Sequence, residues 1–209
     1  MSAVPSLSSL LGLAVSDGPG PSRTFTRAHL LLAFLTVGDS TMIGRQALAR
    51  EAGVGDGAIR TILKKLTESG YVETIASGCR LTRLGSRVHA QLRRKLSHIA
   101  VLDGSSLSVG RVQAAAAVKG SGKRLGSGIE QRDAAILVGA SGATTYAIKG
   151  GRFTIPGGSS NCERDFPSLA WSTLRRDLQP REGDALVLCG ADSVEKARVG
   201  TVAAALTLL

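Results

Sequence analysis

Asp56, Arg60, Thr61, Lys64 and Lys65 are left over when the apolar positions Ile59, Ile62, Leu63 and Leu66 are taken out of one short stretch. Those apolar positions recur at i, i+3, i+4 and i+7, which predicts a helix over 56–69 with one face on a core. The remaining side chains then share the outward face, and their chemistry suits a polyanion. Near the start of such a helix, the Arg60 guanidinium can pair bidentately with a guanine edge, and Thr61 can meet a thymine methyl or a phosphate. Lys64 and Lys65 lie further along and suit phosphates. Arg45 before this helix and Arg80 after it would brace a nucleic-acid backbone on either side. Taken singly, each of these charges also reads as ordinary solvated surface.

The charge distribution favours the set over the singles. The chain has 209 residues and a formal net charge of +10. Residues 23–98 carry 13 Lys/Arg against 5 Asp/Glu, and residues 99–209 carry 13 against 10. A basic module joined to a nearly neutral one is the expected footprint of nucleic-acid binding. Aromatic residues make up only 3%, which argues against recognition by rows of base-stacking rings. The 43% apolar fraction is enough for packed cores, and no run is long enough for a membrane span.

The elements around the basic helix complete a pattern. Thr26–Val37 is apolar nearly all round and reads as a buried helix. Ser40–Ile43 is a short extended piece. Gly44 opens a helix over Arg45–Ala52, and Gly53-Val54-Gly55 is a tight turn. Tyr71–Ile75 and Cys79–Leu81 form a hairpin with Arg80 near its tip. Thr82 caps a helix with Leu84, Val88, Leu92, Leu96 and Ile99 on one side. That last helix is basic through Arg83, Arg87, Arg93, Arg94 and Lys95; it adds phosphate contacts, connects, or pairs two copies along its apolar stripe. The run from Ile43 to Glu73, closed by Cys-Arg-Leu-Thr-Arg-Leu-Gly, resembles the winged helix-turn-helix of prokaryotic transcription regulators over residues 26–98. The resemblance implies duplex DNA as partner, with Arg45, Asp56, Arg60, Thr61, Lys64, Lys65 and Arg80 at the interface.

From residue 100 the texture changes. Val109–Lys119 alternates Arg111, Gln113 and Lys119 outward and reads as a strand, although its four alanines also suit a helix. Ser127-Gly-Ile-Glu130 has the form of a capping box, opening a helix that runs to Gly139. Ala143–Lys149 and Arg152–Pro156 flank Gly150-Gly151, a hairpin signal. Pro167–Leu178 reads as a helix, Ala185–Cys189 as a strand and Val194–Leu209 as a helix. The order β-α-β-β-α-β plus a final helix predicts a ferredoxin-like domain; a small doubly wound sheet is the alternative. This half, through Ser127–Ile136, Gly139–Thr145 and the closing Gly-Ala-Asp-Ser to Leu209, is similar to the uncharacterised C-terminal domain of a family of archaeal winged-helix proteins. That resemblance implies a regulatory role and no defined ligand.

The glycine-rich loop 119–128 is the other place where chemistry concentrates. Ser121, Lys123, Arg124, Ser127 and Gly128 would offer hydroxyls, cations and backbone N–H groups to a small anion; a solvated loop is the alternative. It is not a Walker A loop, because Arg124 and Ala117 stand where Ser/Thr and Gly are needed. Gly157-Gly158-Ser159-Ser160 is a connection or a lid. Glu130 and Asp133 suit a salt-bridged surface better than an acid/base pair. Cys79, Cys162 and Cys189 have neither the number nor the spacing of a disulfide or zinc framework, and none of the three histidines groups with them. No cofactor, metal site or catalytic residue is expected, and reduced thiols fit the cytoplasm.

The sequence therefore predicts an α+β chain: an arm over 1–22, a winged helix-turn-helix over 23–99 and a ferredoxin-like domain over 100–209. The arm lacks a basic leader segment before Arg23. Function is read as transcription regulation on duplex DNA, as a homodimer, with a second domain for effector sensing or dimerisation. The alternatives are a non-specific or RNA-associated binder and a small enzyme targeted by its basic domain.

Overall fold

The computed structural model describes residues 7–13 and 25–209. The chain is α+β, with two β-sheets, and divides into two compact units, Met1–Leu92 and Arg93–Leu209. Part of the expected arm is ordered after all. Helix α1 (Leu7–Gly12) buries Leu10, which is 1% exposed. Residues 1–6 and 14–22 of that arm, including the expected helix stop at 17–21, lie outside the described residues.

In the first unit, α2 (Arg27–Asp39) buries Leu30, Leu31, Leu32, Phe34 and Leu35 almost completely, as its unpatterned apolar sequence requires. The backbone N–H of its N-cap, Thr26, donates to His29 Nδ1 at 3.1 Å. Helices α3 (Arg45–Glu51) and α4 (Asp56–Glu68) follow, joined through Gly53 at φ 67°. The predicted stripe Ile59, Ile62, Leu63 and Leu66 is buried. Gly70 ends α4 in a Schellman arrangement: Gly70 N–H donates to Thr67 and Tyr71 N–H to Leu66. Strands β1 (Val72–Ile75) and β2 (Gly78–Leu81) form the hairpin, and Ile43 pairs with Cys79 as a third edge. Helix α5 (Arg83–Lys95) stops one turn before the expected Ile99. Its Val88 and Leu92, like Leu96 beyond it, are fully buried, so the stripe expected to pair two copies is occupied within the chain.

The second unit is a five-stranded antiparallel sheet in the order β3-β4-β7-β5-β6. Its strands are β3 (Ala100–Asp103), β4 (Val112–Val118), β5 (Gly142–Lys149), β6 (Arg152–Thr154) and β7 (Ala185–Ala191). The connecting helices are α6 (Ile129–Ile136), α7 (Cys162–Asp165), α8 (Ala170–Leu178) and α9 (Val194–Leu206). The expected element order is present, together with β3 and α7, which the sequence did not announce. The ferredoxin-like topology is not. A ferredoxin-like sheet centres its first and third strands, whereas here the last strand, β7, sits between β4 and β5. Both sheet faces are also covered. Trp171, Leu174 and Leu178 of α8 pack with Tyr146, Phe153, Leu186 and Leu188 on one side. Helices α6 and α9 cover the other, where a Cβ on Gly200 of α9 would stand 2.7 Å from that of Ala140.

Coverage on both faces explains why alternation misled in β4. Ala114–Val118 are all 0% exposed, and Gln113, expected outward, is buried as well. Its amide donates to the carbonyls of Ser105 and Ser108 at 2.8 Å and accepts from Ser105 Oγ at 2.7 Å, which repays its desolvation. The turn Gly150-Gly151 has φ of 58° and 70°, the two positive values of the predicted tight hairpin.

Two stability predictions follow from these contacts. Burial lowers the His29 pKa from 6.5, so the unfolded chain takes up the proton first. The contribution of neutral His29 is complete above that value and is lost as pH falls below it. The melting temperature should drop between about pH 7.5 and about pH 5.5, and His29→Gln, which keeps a capping acceptor that does not titrate, should flatten that drop. Separately, a Cβ on Gly85 would lie 1.9 Å from the Tyr71 carbonyl oxygen. Gly85→Ala should cost about 2 kcal/mol or more in a denaturant titration.

Candidate nucleic-acid interface

Helices α3 and α4 meet through one carboxylate. Asp56, at the first residue of α4, has Oδ1 3.1 Å from Arg45 Nε and Oδ2 2.7 Å from Arg60 Nε. All three side chains are exposed. The carboxylate also sits where a helix N-terminus favours negative charge. The nearest approach of each guanidinium to Asp56 is through Nε. The cluster carries a net single positive charge and holds two forks in set directions on the outer side of α3 and α4. Planar forks of this kind suit the paired acceptors of guanine or a phosphate.

The other expected residues are placed differently. Thr61 Oγ donates back to the Gly57 carbonyl at 3.1 Å. Lys64 is exposed and 3.8 Å from Glu68 one turn on. Lys65 is half-buried and donates to the Leu13 carbonyl at 3.4 Å. Arg80 is not at the hairpin tip. The register sets it opposite Glu73, and its Nε is 2.8 Å from Glu73 Oε1. The tip is the uncharged pair Ala76-Ser77. Gly78 belongs to β2, where a Cβ would meet the Ile43 carbonyl oxygen at 2.7 Å. Sequence reasoning missed Gln46 and Arg50, which with Arg45 line a shallow recess along α3. The run Arg45-Gln46-…-Arg50 on one short helix was the available signal.

In the second unit several amides of the loop 119–128 are already bonded. Gly120 N–H donates to Asp184 Oδ1 at 2.9 Å, Gly122 N–H to the Gly183 carbonyl at 2.8 Å and Arg124 N–H to the Ser121 carbonyl at 2.9 Å. Ser121 is buried, with Oγ on the carbonyls of Lys119 and Leu208. Arg124 reaches the Leu209 carbonyl at 3.5 Å. Ser127 does not cap α6: the N-cap is Gly128, at φ 80°, with no side-chain bond. Of the five expected ligand residues, Lys123 lines a cleft. That cleft, of about 590 Å³, has an apolar floor of Leu125, Ile148 and Ile155, with Lys149 and the 157–160 loop also on its wall.

Cys79, Cys162 and Cys189 are buried free thiols. Burial pushes the Cys162 thiol up and that of Cys189 up to about 12. Among the described residues no group of His, Cys, Asp and Glu is placed to hold a metal ion, and no helix is long and apolar enough to cross a membrane.

Comparison with known proteins gives relatives for the architecture. The family described as a domain of unknown function (DUF4443) matches residues 109–208. No curated protein matches the chain. Among solved structures, a hypothetical protein, PH0730, from Pyrococcus horikoshii OT3 superposes with a TM-score of 0.73 at 22% identity, over 88% of this chain and 92% of that one. A MarR family protein, Rv2887, from Mycobacterium tuberculosis matches with a TM-score of 0.31 at 23% identity, over 42% of this chain and 63% of that one. The first of these likenesses shows that the fold is shared with an archaeal protein.

Proposed function

We propose that the chain is a transcription regulator that binds duplex DNA through a winged helix-turn-helix formed by α2–α5 and the β1–β2 hairpin. The observation that carries the reading is the Arg45–Asp56–Arg60 bridge at the start of α4. It brings the Arg45 guanidinium of the first helix beside that of Arg60, in the N-terminal half of the second helix of a helix-turn-helix, the part that meets base edges in the major groove. Lys64 adds a phosphate contact one turn further along. Asp56 orients the arginines instead of touching DNA itself. Arg80, set back from the hairpin tip, and Lys65, half-buried, are not part of the proposed contact. Paired copies would read two half-sites. The second unit would serve as the regulatory domain, its cleft accepting a small anion with an apolar body between Lys123 and Lys149.

A selection of genomic duplex fragments at near-physiological salt tests the reading. Wild type should recover one shared motif, and Arg60→Ala should lose it, with a penalty of about 1–3 kcal/mol at the affected base pair. Lys64→Ala should weaken binding to all sequences alike and reduce the salt slope by about 1. Recovery without a motif, equally by wild type and Arg60→Ala, would identify a non-specific or RNA-directed binder. Asp56→Ala should raise affinity for random duplex while narrowing the gap between specific and random sites, because it removes a negative charge and the restraint on both arginines. Filter binding to the two duplex classes measures that gap.

A further inference from the structure

Helix α6 buries Gln131 and Ala135 against its own unit. Its opposite face carries Ile129, Arg132, Asp133, Ile136 and, at the C-cap, Leu137. The three apolar members are 51%, 47% and 84% exposed. Val109, 59% exposed, adjoins them, since Val109, Arg132 and Ile136 line one shallow recess. Scattered exposed leucines need no explanation, but a contiguous apolar patch on a helix face marks an interaction surface.

The order of residues on this face selects the partner. The midpoint between Arg132 and Asp133 is also the midpoint between Ile129 and Ile136. Reversing the helix about that point puts isoleucine on isoleucine and arginine on aspartate. A surface that matches its own reverse, with charge sign exchanged, fits a two-fold axis, where residue i meets j and j meets i. We propose that α6 packs antiparallel against α6 of a second copy of this chain. Ile129 then meets Ile136 of the second copy, and Arg132 meets its Asp133. In the single chain Arg132 and Asp133 pair with each other, Nη2 to Oδ1 at 2.9 Å and Nε to Oδ1 at 3.1 Å. Across the axis the same groups form two bridges between copies. Leu137 extends the apolar contact past the end of the charged pair, toward the side-chain-free Gly128 of the second copy. One short helix and a neighbouring valine make a small interface by the standards of stable complexes, so the association is weak and salt-sensitive.

This surface supplies the pairing named under the DNA-binding reading and rests on that reading only for its use at two half-sites. Sedimentation velocity without DNA tests it separately, so loss of either claim leaves the other standing. The full-length wild type should show concentration-dependent dimerisation. Arg132→Asp sets carboxylates against carboxylates and Asp133→Arg sets guanidiniums against guanidiniums. Each alone should weaken the dimer about tenfold or more. An equimolar mixture of the two variants should restore association to at least the wild-type level, which also shows that both variants are folded. A wild type that stays monomeric over the whole accessible concentration range overturns the proposal. So do single variants that dimerise like wild type, or a mixture that associates no better than its components.

Discussion

Burial of the Leu30–Val37 run of α2 is the constraint on which the basic surface depends. Its leucines and Phe34 have no polar side to offer water, so α3, α4 and the hairpin must cover them. Burying a side chain of this size is worth about 1.5–3 kcal/mol, and the whole helix contributes several of them. Once the apolar stripe of α4 is committed to that core, its remaining residues have nowhere to face but outward. The presentation of Arg60 is thus a consequence of hydrophobic geometry, and Asp56 refines it by tying Arg60 to Arg45 on the preceding helix.

The basic side chains of the first unit differ in their local partners. Arg80 pairs with Glu73 across the hairpin and Lys65 with the Leu13 carbonyl, while Arg45 and Arg60 share Asp56. The Asp56 bridge gathers two of these charges at the start of α3 and α4. The second unit holds little of this basic character, and its oriented features are an apolar-floored cleft and the self-matching face of α6.

Much of the first unit was legible because its signals are local. The i, i+3, i+4, i+7 stripe of α4, the glycine stops at Gly53 and Gly70 and the hairpin lie within a few residues of what they specify. The partner of Arg80 was hidden in the register. A two-residue turn at Ala76-Ser77 sets Arg80 opposite Glu73, whereas a turn that includes Gly78 does not. The second unit was legible as a list of elements and not as a topology. Strand order depends on which non-local pairs form, and a sheet covered on both faces erases alternation, as the run Ala114–Val118 shows. The loop 119–128 hid its partners for a related reason: Asp184 and Gly183, some sixty residues away, accept from the amides of Gly120 and Gly122.

Amide hydrogen exchange of the full chain, with and without duplex DNA, tests the central claim most directly, because it locates the contact without altering a residue. Slowed exchange across the α3–α4 turn and the first turns of α4, residues 44–64, is the result this account predicts. Slowing confined to the second unit, or to α5 with residues 44–64 unchanged, would contradict it.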